Sequence, residues 1–125
     1  KIMDTQDLVV PRAQIPALLD GIKEIAQKSA ARIICFGHSG DGNVHVNIIK
    51  DMPDKEWDAM KPKVAEAMYA VALGLGGAIT GEHGIGLTRR KYLPLAVDPA
   101  RLAVMRRIKD AIDPRHILNP GKILP

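Results

Sequence analysis

The segment Asn43–Ile49 reads Asn-Val-His-Val-Asn-Ile-Ile, a strict alternation of polar and apolar side chains over its first six residues. Only a period of two accommodates that order. The segment is therefore a β-strand with Val44, Val46 and Ile48 on one face and Asn43, His45 and Asn47 on the other. Residues 32–36, Arg-Ile-Ile-Cys-Phe, read as a second strand, buried because it is almost wholly apolar. Between the two lies Gly37-His38-Ser39-Gly40-Asp41-Gly42, where closely spaced glycines let the backbone reverse. A hairpin over about residues 32–49, with a six-residue loop at its tip, is the expected centre of the fold.

The flanking sequence supplies helices to cover the hairpin. After an extended Leu8-Val9-Val10 closed by Pro11, the residues Ile15, Leu18, Leu19, Ile22, Ile25 and Ala26 recur at helical spacing and predict an amphipathic helix over about 14–30. Beyond Pro53, a short helix carrying Trp57 and Met60 is expected to be interrupted or kinked at Pro62, because proline removes a backbone donor and clashes with the preceding turn. A further helical stretch with Val64, Ala67, Met68 and Val71 stops at Gly74, Gly76 and Gly77, and residues 78–80 form a short extended piece. Asp98-Pro99 makes an N-cap and first-turn pair for a helix through Leu102, Met105, Ile108 and Ile112, ending at Asp113-Pro114. Asn119-Pro120-Gly121-Lys122 is a turn sequence in the tail. Helices alternating with a small antiparallel sheet predict an α+β, two-layer domain with a helical C-terminal tail.

Composition narrows the function. A chain of 125 residues with 46% hydrophobic content is about one domain and can bury a core. Aromatic residues make up only 3%, too few for the stacking platforms of a single-strand nucleic-acid binder, and no recognition motif accompanies the net charge of +4. The basic runs, Arg89-Arg90-Lys91 and Arg106-Arg107, read as solvated helix faces or as a patch for an anionic partner. A single cysteine, Cys35, rules out an internal disulfide and fits a reducing compartment; its apolar neighbours place it in the core rather than at a reactive site. No apolar run approaches the ~20 residues of a membrane span, and no signal-peptide pattern opens the chain, so the expected location is cytoplasmic. A start at Lys1 rather than Met suggests a piece of a longer chain.

Two polar constellations are candidates for chemistry: His38, Asp41, Asn43, His45 and Asn47 around the hairpin, and Glu82-His83 in Thr-Gly-Glu-His-Gly-Ile-Gly. Folding the hairpin brings His38 and His45 towards each other, an arrangement that serves either a divalent metal or a pair of hydrogen-bonded structural histidines, the commoner use. Glu82 would complete a three-ligand set if its loop docks there, leaving coordination positions open for substrate or water. His83 is either a general base or a loop-bracing residue. Asp41 has the local setting of an Asx turn before Gly42. His116 reads as a surface residue. The order Gly81-x-x-Gly-x-Gly does not match the dinucleotide fingerprint, and no phosphate-binding P-loop is present.

Three segments carry a resemblance: FGHSGDGNVHVNI at 36–48, GGAITGEHGIGLTRRKYL at 76–93 and IKDAIDPRHILNPGKIL at 108–124. Together they resemble the C-terminal cap region of FAD-linked oxidases of the vanillyl-alcohol oxidase superfamily, the group of D-lactate dehydrogenases, glycolate oxidase FAD subunits and D-2-hydroxyglutarate dehydrogenases. The resemblance implies that residues 1–125 form the C-terminal part of a ferredoxin-like substrate cap, with FAD held mainly by an N-terminal domain that nothing in this sequence resembles. Carried over by position, it implies His38, His45 and Glu82 as ligands of a divalent metal, zinc or manganese. It also implies Asn47 as a substrate-binding residue, His83 as the acid/base that also touches substrate, and Asn119 as a residue near the flavin. Ser39 stands where relatives often carry Ala or Leu. The implied reaction is oxidation of a small D-2-hydroxy acid to the 2-oxo acid. Partners would be that substrate and the FAD domain of the same parent chain, and the isolated piece would be inactive and prone to self-association. The competing reading is a stand-alone metal-binding or interaction module without redox activity.

Overall fold

The computed structural model describes residues 3–38 and 40–125, so Ser39 lies outside the described residues. Two compact units divide the chain, residues 1–83 and 84–125.

The first unit runs β1 (Met3–Val9), α1 (Ile15–Ser29), β2 (Arg32–His38), β3 (Asn43–Ile49) and α2 (Asp54–Gly74). Its sheet has the order β1-β3-β2, with β3 antiparallel to both neighbours. A β-α-β-β-α chain with that strand order gives the first five elements of a ferredoxin-like arrangement. Along the outer side of β1, residues 78 and 80 make only isolated bridges to Val9 and Asp7. Register assigns the faces. Leu8 lies opposite Val44, and Gln6 opposite Val46, on the side where the Tyr69 hydroxyl of α2 donates to the side-chain Oε1 of Gln6. Leu8, Val46, Ile48, Leu18, Met68 and Tyr69 are wholly buried between this face and the helices. The other face carries His38, Asn43 and Val9 in one row, Phe36, His45 and Asp7 in the next, and Ile34, Asn47 and Thr5 in the third.

Several sequence expectations change in detail. β3 has the predicted bounds, but it is the central strand and its polar face is largely buried too. In contrast, β2 is an edge strand whose outward face is open, with Ile34 49% and Phe36 54% exposed. The expectation of a buried β2 was wrong because α1 and α2 cover the opposite face only. Cys35 points to the helix-covered face but is only half-buried at this edge, and burial pushes its thiol pKa up. Pairing persists to His38 opposite Asn43, so β2 runs two residues further than the sequence predicts.

α2 continues unbroken through Pro62, so the two predicted stretches are one helix. Its buried Trp57 lies before the proline, and its buried Val64, Ala65, Met68, Tyr69 and Ala72 lie after it. Burial on both sides outweighs the loss of one backbone hydrogen bond. Pro62→Ala is therefore expected to stabilise the protein by up to about 3 kcal/mol, the scale of an interior proline penalty. Denaturant unfolding checks this; a loss of stability would mean that packing requires the proline geometry.

In the second unit, a 3-10 turn at Arg90–Tyr92 leads into α3 (Leu93–Ala96) and α4 (Pro99–Ile112). Asp98 caps α4 by accepting from the Arg101 N–H, as its position before Pro99 predicts. Buried Asp113 closes the helix and anchors the tail, accepting from the N–H groups of Ile117 and Leu118 and from Lys109. The tail turn forms as expected, with the Lys122 N–H donating to the Asn119 carbonyl. His116 is exposed.

Candidate active site

The outward face of the sheet converges on His45. Its position at the middle of the central strand places it between Asp7 on β1 and Phe36 on β2. Residues 80–83 lie beside this row, leaving His45 only 6% exposed. Two local features let that loop come so close. Residues 78 and 80 bridge to β1, and Gly81 lies where a Cβ would come within 1.8 Å of the Asn43 side-chain nitrogen. A similar constraint holds the hairpin root, where Gly42 has φ +83° and a Cβ would meet the Val10 carbonyl oxygen at 2.0 Å.

Asp7 is wholly buried and holds the pieces together. Its Oδ2 accepts from Thr80 Oγ1 at 2.8 Å and from the backbone N–H groups of Gly81 at 2.9 Å, Glu82 at 2.9 Å and His83 at 2.7 Å. Asn43 Nδ2 donates to Oδ1 at 2.7 Å. Burial alone would raise the carboxyl pKa, but the donors from Asn43, the His83 and Glu82 backbone and Thr80 overcome that and hold it well below the usual carboxylate range.

Around His45 the contacts are close and polar. Nε2 lies 3.0 Å from Glu82 Oε1, and Nδ1 lies 3.6 Å from Asp7 Oδ1. The His83 ring stacks on His45 with centroids 5.0 Å apart and planes at 14°, and His83 Nε2 is 3.7 Å from Glu82 Oε1. His38 meets the His45 ring edge-on at 5.8 Å, and Phe36 packs against it at 5.2 Å. His45 thus forms a buried floor, and His38, Glu82 and His83 are exposed around it.

Ligand-capable atoms of Asp7, His45, Glu82 and His83 all fall within 4.8 Å of one another. A lone pair on Nε2 and a carboxylate oxygen 3.0 Å away repel unless a proton or a cation lies between them. Buried Nδ1 of His45 has no hydrogen-bond partner among the described residues. A mixed imidazole and carboxylate donor set of this kind suits zinc or manganese.

The structure brings His38, His45, Glu82, His83 and Asn47 to one face of the first unit. Asn47 is half-buried two residues beyond His45, its Oδ1 accepting from Thr5 Oγ1 at 2.8 Å. Asn119 belongs to the second unit, exposed, with φ +46° at the start of its turn. Asp41 forms the Asx turn, its Oδ1 accepting from the Asn43 N–H at 3.0 Å. Sequence reasoning missed Asp7. The available signal was an acid set directly against the apolar run Leu8-Val9-Val10, where an exposed strand end would be the ordinary reading.

Residues 1–123 match the family described as FAD linked oxidases, C-terminal domain. Among individual relatives, an uncharacterised FAD-linked oxidoreductase of Mycobacterium tuberculosis is 42% identical over 96% of this chain and 25% of its own length. The glycolate oxidase subunit GlcD of Bacillus subtilis is 40% identical over 94% of the chain and 25% of its own length. A D-lactate dehydrogenase of Anaerostipes hadrus is 37% identical over 98% of the chain and 26% of its own length. The chain spans about a quarter of the length of these curated relatives. With its β-α-β-β-α sheet unit and its match over residues 1–123, the chain belongs to the family of FAD-linked oxidase C-terminal domains.

Proposed function

We propose that this chain is the substrate-binding part of an FAD-dependent oxidoreductase that converts a small D-2-hydroxy acid, of the lactate, glycolate or 2-hydroxyglutarate type, to the 2-oxo acid. The observation that carries the reading is the cluster of His45, Glu82 and His83 on one face of the sheet. Two relatives whose names specify a glycolate oxidase subunit and a D-lactate dehydrogenase support the substrate class.

His45 and Glu82, with His38 beside them, would hold a divalent ion. Asp7 is a poor ligand despite its proximity, because its Oδ2 already accepts four donors and the side chain has no exposed surface. Asn119 would lie near the flavin, offering an exposed amide with both donor and acceptor. When bound, the ion supplies Lewis-acid polarisation of the hydroxyl and the flavin supplies the hydride acceptor.

Within the chain, Thr5 fixes the amide of Asn47 through Oδ1, leaving Nδ2 to donate to a substrate carboxylate. His83 accepts the hydroxyl proton at Nε2, the nitrogen nearer Glu82. Phe36 and the buried floor limit water on the His45 side. Elemental analysis of the full-length flavoprotein tests the metal assignment. Wild type should carry about one equivalent of zinc or manganese and His45→Ala far less than one. Equal metal content in the two would remove His45 from the ligand set, and failure of every D-2-hydroxy acid to bleach the flavin would reject the substrate class.

A further inference from the structure

Building on the reading that His45 and Glu82 hold a cation, we propose that Asp7 is the positioning carboxylate of the site. It fixes the backbone path of residues 80–83 with one oxygen and sets a negative charge behind the His45 ring with the other.

The Oδ2 half of the argument is geometric. Three successive backbone N–H groups, those of Gly81, Glu82 and His83, point at one oxygen at 2.7 to 2.9 Å. Consecutive amides converging in this way form an anion-binding concavity. A side chain from β1, more than seventy residues away in sequence, fills it. Thr80 Oγ1 adds a fourth donor to the same atom. The backbone of Glu82 and His83 is thereby pinned to the sheet beside His45, so their side chains start from a fixed origin.

The Oδ1 half concerns His45. This oxygen takes the Asn43 amide and faces His45 Nδ1 at 3.6 Å. No described residue gives that buried nitrogen a hydrogen bond. With a cation held between Nε2 and Glu82, a negative charge on the Nδ1 side favours the hydrogen at Nδ1 and leaves the Nε2 lone pair to the cation. Carboxylates behind metal-ligating histidines commonly act in this way, and their loss typically costs about 10–100-fold in metal affinity.

Zinc titrated into the metal-free, full-length flavoprotein tests the charge behind His45. Asp7→Asn keeps the size of the side chain and one oxygen for the loop amides, but presents no charge to His45. This variant should weaken zinc binding by about 10–100-fold while flavin absorbance persists. Selective 15N-histidine NMR of the zinc-loaded wild type should find the His45 hydrogen on Nδ1. A bracing role for the loop alone would leave zinc affinity unchanged in Asp7→Asn, and that result overturns the proposal, as does a zinc-loaded wild-type ring with its hydrogen on Nε2. A wild-type protein that binds no zinc or manganese would instead reject the cation reading; hydrogen exchange of the amides at 81–83, expected to be faster in Asp7→Ala than in wild type, then decides whether Asp7 holds the loop.

Discussion

On the proposed function, His83→Ala in the full-length protein is expected to slow flavin reduction by a saturating D-2-hydroxy acid about 10²–10⁴-fold, the range for loss of a positioned acid/base. The geometry explains why the effect should fall on chemistry rather than folding. The backbone of His83 is held by its N–H bond to Asp7, which the substitution leaves in place. Its ring is exposed and stacks on His45 without forming part of the buried core. Removing the imidazole deletes the proposed proton acceptor but neither the loop anchor nor the Glu82 carboxylate. Stopped-flow measurement of flavin bleaching checks the rate, and flavin absorbance and far-UV dichroism check that the protein is intact. Added imidazole should restore part of the rate, because a small base can occupy an open site. Reduction at the wild-type rate would remove His83 from the mechanism.

Gly81→Ala should destabilise the protein strongly. The new Cβ would sit 1.8 Å from Asn43 Nδ2 and 3.0 Å from Asn43 Cγ. Asn43 is buried and cannot swing into solvent, so either its amide leaves Asp7 or the loop lifts from the sheet. The first outcome breaks a 2.7 Å buried hydrogen bond and leaves polar atoms unsatisfied at about 1–3 kcal/mol; overpacking adds about 1–3 kcal/mol. Either outcome also displaces Glu82 and His83 from His45. A double-mutant cycle with Asn43→Ala isolates the clash. The pair should be less destabilising than the sum of the two single changes, since alanine at 43 makes room for the methyl group. Strict additivity, measured by denaturant unfolding, would show that the loop relaxes some other way.

Local chemistry made a good part of this protein legible in advance. Alternation in Asn43–Ile49 fixes a strand because no other backbone period fits it, and the structure has that strand with the same bounds. Helical spacing from Ile15 onwards predicts α1 to within a residue or so at each end, and Asp98-Pro99 marks the start of α4. The interruption offered at Pro62 does not occur, because a local penalty of a few kcal/mol is set against burial on both sides of it, which only the packed structure reveals. The strand at residues 32–36 misled for the complementary reason. Apolar composition reports what could be buried, whereas its place at the sheet edge leaves Ile34 and Phe36 exposed.

For the site, the sequence by itself determined the reactive inventory: two histidines at the hairpin, an adjacent Glu-His pair in a glycine-rich loop, and the family those segments resemble. The residue types and the glycines are local facts, written in consecutive positions. Only the tertiary structure decided that His45 is the buried floor between Asp7 and Glu82, that His83 stacks on it, and that Asp7 anchors the loop. The physical reason is that a buried carboxylate takes its meaning from its donors. Those of Asp7 come from residues 43 and 80–83, distant in the chain, and sheet pairing together with the missing side chain at Gly81 brings them to it.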